Sequence, residues 1–409
     1  MKRALLFVAV GLALGAGSAG AATPANPLPG LVVPKAQLGS LAQGLQIMLR
    51  SGLTTNARAA DDSFDPNDTE ASVAKAGRVA GYTLIYGDVG WTSFRTGHGL
   101  IDVGTSLDLF KTQAQAGAYE LKSVRDIAAA RGKNLQGTII ESARSFPVTG
   151  LGPRALGFEI TQRLGKHRIH STVIDFQIAT ILGEAVIDRG DTQNVRQQAA
   201  TIAGRLANRI VAYGKGQNPQ PVQLPRPLGT AKPGAGAPDL SAMVPTGADL
   251  KSKAGVFNQT FAPDDDAIAS YVREYRFGPS SGLFSLTATA TLQRSTREAS
   301  GRLAVIRSVY TGPEAGETLA HVIAPGATVA HLDGTQGAKV GDESFATAVS
   351  FNSQGRRLRA VMVYERRGRI LGSVIMIGTA RKLTLAGALP YANLLDKRIK
   401  SALNPALVA

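Results

Sequence analysis

Residues 345–378 read FATAVSFNSQGRRLRAVMVYERRGRILGSVIMIG. Three runs rich in β-branched and apolar residues, at about 345–351, 357–365 and 369–378, are separated by Asn352-Ser353-Gln354-Gly355 and by Arg367-Gly368. Short polar breaks containing Gly are hairpin chemistry, so the stretch predicts three consecutive antiparallel strands. The middle run holds Val361, Met362, Val363 and Tyr364. Apolar residues at successive rather than alternate positions require a sheet covered on both faces.

Working outward, Tyr271 to Phe277 predicts another strand, and Phe284, Leu286, Ala288, Ala290 and Leu292 alternate with polar residues as a half-buried strand does. Ala299, Leu303, Ile306 and Tyr310 share one face of a helix, and Leu385, Ala388, Ala392, Leu395 and Ile399 form the stripe of a last one. The same order recurs upstream. Ile181-Leu182-Gly183 matches Ile370-Leu371-Gly372 at an offset of 189, as do Ala203 with Ala392, Leu206 with Leu395 and Arg209-Ile210 with Arg398-Ile399. Gly99-Leu100 matches Gly282-Leu283 at 183, and Leu121 and Val124 match Leu303 and Ile306 at 182. The upstream helix carries Val195, Ala199, Ile202, Leu206 and Ile210 on its stripe. The expected fold class is α+β: two tandem diverged domains, each an antiparallel sheet packed with helices.

The boundaries follow from composition. Lys2 and Arg3, the apolar run Ala4 to Leu14, and Ala19-Gly20-Ala21 read as a signal peptide over 1–21. The first domain is expected over 22–213, with a mobile loop near 54–70, where Thr54 to Glu70 lacks an apolar period. Residues 214–240 carry six prolines between Pro219 and Pro238 and read as a linker. The second domain is expected over 241–403, with a tail at 404–409.

The 409 residues contain no Cys, which removes disulfides, thiolate metal sites and Cys nucleophiles. Lys and Arg number 45 against 30 Asp and Glu, a net charge of +15. With export expected, the polyanions to meet are envelope lipids and polymers rather than nucleic acid, and peripheral membrane contact is open. No catalytic constellation stands out. Gly278-Pro279-Ser280-Ser281-Gly282 matches G-x-S-x-G, but an alternating strand follows it instead of the helix that a nucleophile elbow needs. His167 and His170 lie three apart on an expected strand and so point to opposite faces, which argues against a shared metal. Asp264-Asp265-Asp266 and the acids of 61–70 lack the full ligand pattern of a calcium loop. The sole Trp, Trp91, is read as a core or hairpin-packing residue. No cofactor and no metal are expected. The candidate binding residues are basic hairpin tips: Lys166, His167 and Arg168 align at 189 with Gly355, Arg356 and Arg357. Arg suits carboxylate and phosphate recognition.

The run Val340-Gly341-Asp342-Glu343-Ser344 enters a strand. The hairpin Arg366-Arg367-Gly368, a Val/Ile strand and a final amphipathic helix follow. In this the chain resembles bacterial exported cell-envelope domains with a PsbP-like α/β/α sandwich. It is similar also to the extracellular sensor domain of bacterial serine/threonine kinases. The resemblance covers roughly 265–403 and, faintly, 80–213. It implies a binding or adaptor module. The expected function is therefore a secreted, non-catalytic tandem binding module at the bacterial cell envelope, whose partner is an envelope protein or anionic envelope polymer. Two alternatives stand beside it: a carrier of a lipid or small apolar ligand, with an apolar pocket between sheet and helices, and an unrecognised hydrolase.

Overall fold

The computed structural model describes residues 27–135, 138–225, 238–250, 255–262, 266–277, 282–311, 315–316, 318–319, 328–336, 338–353, 355–380 and 383–403. The expected signal peptide, residues 226–237 of the linker, Ser280 with its neighbours 278–281, and the 404–409 tail lie outside the described residues. The chain divides into two compact units, residues 1–88 with 92–225 and residues 89–91 with 226–409.

In the first unit the strands are β1 (Gln46–Ile47), β2 (Gly52–Thr54), β3 (Arg78–Gly87), β4 (Leu100–Phe110), β5 (Asn134–Leu135), β6 (Thr138–Pro147), β7 (Leu156–Leu164), β8 (His167–Ile178) and β9 (Ile181–Arg189). They form one antiparallel sheet in the order β1-β3-β4-β9-β8-β7-β6-β5, with β2 paired to β3. The helices are α1 (Leu28–Leu31), α2 (Asn56–Asp61), α3 (Glu70–Lys75), α4 (Thr92–Thr96), α5 (Gln113–Ala129) and α6 (Arg196–Gly214).

The second unit begins with α7 (Leu240–Met243), β10 (Gly255–Ala262), β11 (Ala269–Arg276), β12 (Leu283–Leu292) and α8 (Thr296–Tyr310). It continues with β13 (Thr328–Gln336), β14 (Glu343–Ser353), β15 (Arg356–Arg367), β16 (Ile370–Thr379) and α9 (Leu385–Ala402). Its sheet runs β10-β11-β12-β16-β15-β14-β13, in which β11-β12-β16-β15-β14-β13 follow the path of β3-β4-β9-β8-β7-β6 in the first unit.

Register makes the correspondence residue-specific. Asp175 pairs with Glu184 as Tyr364 pairs with Ser373, both 189 apart. Ser106 pairs with Glu184 as Thr289 pairs with Ser373, so β4 and β12 are 183 apart. The helices that follow obey the same 183. Thr112 caps α5 by accepting from the Gln115 amide, and Ser295 caps α8 by accepting from the Glu298 amide. The sequence match at 182 is thus one residue out of step. Leu121, expected on the inner stripe, is 56% exposed, and Glu120 stands where the second unit has buried Leu303.

Helices cover both faces of each sheet, as the doubly apolar β15 requires. In the first unit Ile174, Phe176, Ala185 and Ile187 meet Ile202, Ala203, Leu206 and Ile210 of α6. On the opposite face Phe158, Ile160, Val173 and Val186 meet Ile127 of α5 and Phe64. In the second unit Ala388, Ala392, Leu395 and Ile399 of α9 pack on Val361, Val363 and Val374. Each unit also ties its first helix to its last. Arg209 of α6 donates to the carbonyls of Gly30 (2.5 Å) and Leu31 (3.1 Å). Arg398 of α9 donates to the Ala242 carbonyl and to Asp249, both at 2.8 Å.

Two expectations are corrected. The segment 54–70, expected as a mobile loop, carries two short helices: Thr55 caps α2, Thr69 and Ser72 form a capping box on α3, and Phe64 between them is 3% exposed. Helices of six residues are too short to display a period, and the polar side chains are spent locally, as in Ser63 Oγ to Asp68 and the Asn67 amide to Asp65. The expected linker starts later than 214, because Val222 and Leu224 pack against the first unit's core. No helix among the described residues is long and apolar enough to cross a membrane.

Candidate ligand cavity

Between the α5 face of the first sheet and the 54–70 segment lies a cavity of about 70 Å³. Its floor is a cross-strand row of Ser106, Glu184 and Asp175, directly paired neighbours on β4, β9 and β8, and Thr83 on β3 pairs with Ser106 beyond it. Thr83 Oγ1 and Ser106 Oγ lie 3.0 Å apart in a hydrogen bond. The roof is α5, whose buried stripe comprises Ala116, Gly117, Glu120 and Ile127. Glu120 thus occupies a core position, is 5% exposed, and neither of its carboxylate oxygens has a hydrogen-bond partner. Burial pushes its carboxyl up to about 7, with Arg154 pulling weakly the other way. Arg154 lies across Gly117, a position where a side chain would collide with its guanidinium. Tyr119 also lines the cavity; burial pushes its phenol up to about 12, so it stays a neutral hydroxyl.

The 54–70 segment supplies the wall, held by two cations. Arg78 is buried and donates to Asp108 (2.8 Å), Thr54 Oγ1 (2.7 Å) and Asn56 Oδ1 (2.9 Å). A side chain at Gly81 would overlap Arg78 Nη2 and Thr54 Oγ1, which is why β3 carries Gly there. Lys122 of α5 binds Asp126 at 2.7 Å, Asp68 at 2.9 Å and Asp65 at 3.3 Å. Those three aspartates are the one carboxylate group among the described residues close enough to share a metal ion, and Lys122 already sits in their midst.

The second unit fills the same place. Leu303, Tyr364 and Ser373 stand where the first has Glu120, Asp175 and Glu184. The Tyr364 ring stacks on Phe345 at 5.2 Å and meets Tyr310 at 6.0 Å. Three carboxylates in one unit are replaced by an aliphatic, an aromatic and a hydroxyl in the other.

A second buried acid cluster lies further along the same sheet face. Asp102 and Asp188 are direct neighbours on β4 and β9, and Arg50 Nη2 donates to Asp102 at 2.6 Å. Burial and the adjacent Asp102 hold the Asp188 carboxyl well above the usual range, while Ser171 stabilises its charge.

The residues singled out at the hairpin tips separate. Lys166 is exposed at the β7–β8 turn, and Arg168 is exposed but pairs with Glu141 at 2.7 Å. His167 is a correction: it is 7% exposed and its ring lies 4.6 Å from that of Phe94. Burial, reinforced by Lys166, lowers it to about 4, so it carries no charge to a surface partner. His170 points to the other face and meets Thr161. Arg356 and Arg357 are exposed at the matching β14–β15 turn. At the other end of β15, Arg366 binds Asp342 (3.2 Å) and Glu343 (2.9 Å), and Arg367 binds Asp396 (2.5 Å). The Gly-Asp-Glu-Ser run is therefore a structural clasp: Ser344 Oγ donates to the Ala338 carbonyl.

Each unit is thus an α/β/α layer domain, and the first holds a walled acidic cavity. No protein-family model matches the chain, and no curated protein is similar to it. Among solved structures, the extracellular domain of PknH from Mycobacterium tuberculosis is similar over 45% of this chain and 94% of its own, at 15% identity and a TM-score of 0.30. The immunity protein TplEi of the T6SS from Pseudomonas aeruginosa is similar over 77% of this chain and 93% of its own, at 10% identity and a TM-score of 0.20. Neither likeness carries an activity to this chain.

Proposed function

We propose that the protein is an exported, non-catalytic binding module of the bacterial cell envelope whose first unit holds a small ligand between its sheet and α5. The observation that carries this reading is Glu120, a carboxylate on the core stripe of a helix, buried and unbonded beside a cavity. Burying an unpaired carboxylate is costly unless something compensates it, and a bound ligand is such a compensation. Binding is favoured over hydrolysis by the lining. The Ser106 hydroxyl of the lining is bonded to Thr83, and no His lines the cavity among the described residues, so no Ser–His pair stands there. The carrier alternative shares this location, where Phe64, Leu107, Phe176 and Leu182 line the cavity beside the acids. Export rests on the charged and apolar pattern of residues 1–21. The exposed Lys166, Arg168, Arg356 and Arg357 suit salt-sensitive contact with an anionic envelope polymer.

Native mass spectrometry of the protein purified from its own host tests this function. The expected result is an added mass that denaturation releases and that Asp175→Tyr, filling the cavity as Tyr364 does in the second unit, abolishes. A folded wild-type protein that shows only its bare mass, or one that turns over a substrate, overturns it.

A further inference from the structure

We infer that the cavity takes a short organic cation, a primary amine or diamine, rather than an anion, a neutral molecule or a bare metal ion. This rests on the cavity being a ligand site, and it names the chemical class. The lining carries seven carboxylates against two cations, in a protein whose net charge is +15. Both cations are committed to the wall: Arg78 to Asp108 and the 54–56 backbone segment, Lys122 to Asp65, Asp68 and Asp126. What faces the floor and roof is acid: Glu120 above, Asp175 and Glu184 below. A cation placed beneath Glu120 supplies the donors that its two carboxylate oxygens lack.

Spacing decides the kind of cation. Glu120, Asp175 and Glu184 are not among the described carboxylates that lie close enough together to share one ion. A ligand whose N–H donors are distributed along a chain matches carboxylates that are spread apart. Size agrees: at roughly 10–15 Å³ for each water-sized occupant, about 70 Å³ holds about five to seven such occupants. A four-carbon diamine, with six heavy atoms, is of that size. Tyr119 and Ser106 add neutral oxygen acceptors beside the acids.

The probe is 1,4-diaminobutane, titrated calorimetrically into the full-length protein at pH 8 and low salt. Succinate, 1,4-butanediol and Mg²⁺ alone serve as comparisons. Saturable binding at one site is expected for the diamine and for none of the comparisons. Glu120→Gln keeps the shape and removes the charge, and should weaken the diamine roughly ten- to hundredfold. Asp175→Tyr should abolish binding, with its circular dichroism unchanged from the wild type. Diamine affinity unaltered by Glu120→Gln overturns the inference, as does succinate, butanediol or Mg²⁺ binding as well as the diamine. If one of those comparisons binds and Asp175→Tyr removes it, the cavity remains a ligand site and the cation class alone fails. If no probe binds and the host protein carries no added mass, both fail.

Discussion

Replacing Glu120 by Gln should stabilise the ligand-free protein, and by an amount that grows with pH. The Glu120 carboxyl is pushed from its ordinary 4.5 to about 7 in the folded state. A raised folded value means that folding favours the protonated acid. Stability from this group is therefore fully present below 4.5, declines as pH rises and is gone above 7. At 1.36 kcal/mol for each tenfold change, the gap corresponds to about 3 kcal/mol at pH 8 and about 1 kcal/mol at pH 5. Gln presents the same shape without an ionisation, and Arg154, Asp175 and Glu184 around it are common to both proteins, so their titrations cancel in the difference. The assay is urea unfolding of both proteins at pH 5 and pH 8, followed by circular dichroism. The variant should gain over wild type by about 2 kcal/mol more at pH 8 than at pH 5. A difference that is the same at both pH values, or that shrinks as pH rises, would refute the argument that Glu120 is buried without a partner.

The same logic applies to Glu365 of the second unit, which is 1% exposed with neither oxygen bonded, and whose carboxyl burial holds well above its usual range. Glu365→Gln should raise stability at pH 8 by 1 kcal/mol or more, roughly, and equal stability of the two proteins in urea at that pH would contradict it. Arg398→Met removes charge-assisted bonds to the Ala242 carbonyl and Asp249, and should cost about 2 kcal/mol, read as an earlier calorimetric transition of the second unit. Gly81→Ala should expel Arg78 from its bonds to Asp108 and Thr54, destabilising the first unit by about 2 kcal/mol and exposing 54–70 to protease. A variant as resistant as wild type would show that Arg78 does not hold that wall.

Much of the fold was legible because its signals are periodic. The hairpins at 352–355 and 367–368 declared themselves through turn chemistry, and the doubly apolar β15 announced a helix on each face. The cavity was harder to see because it consists of departures from those patterns. Asp175 and Glu184 sit inside strands whose other residues read as core, and Glu120 sits on a helix stripe otherwise made of Ala, Gly and Ile. A signal existed: aligned with the second copy, these acids fall opposite Tyr364, Ser373 and Leu303. The one-residue error in the helix alignment hid the last of these by pairing Leu121 with Leu303. The cap residues Thr112 and Ser295 would have set that register correctly. The wall was missed because six-residue helices have no visible period, and His167 because its partner, Phe94, is remote in sequence.

The clasp between first and last helices has a consequence for synthesis. In each unit the opening segment, α1 or α7, is fastened by an arginine on the closing helix, Arg209 or Arg398. A nascent first unit therefore cannot close until about 180 residues after α1 have been made, since the contact from Arg209 to Gly30 spans 179 positions. Until then the chain is threadable, and afterwards both its ends lie at one place. Domains whose ends meet can be strung in series by a short connector without rearranging either. The geometry that delays closure of one copy is also what makes a second copy easy to append.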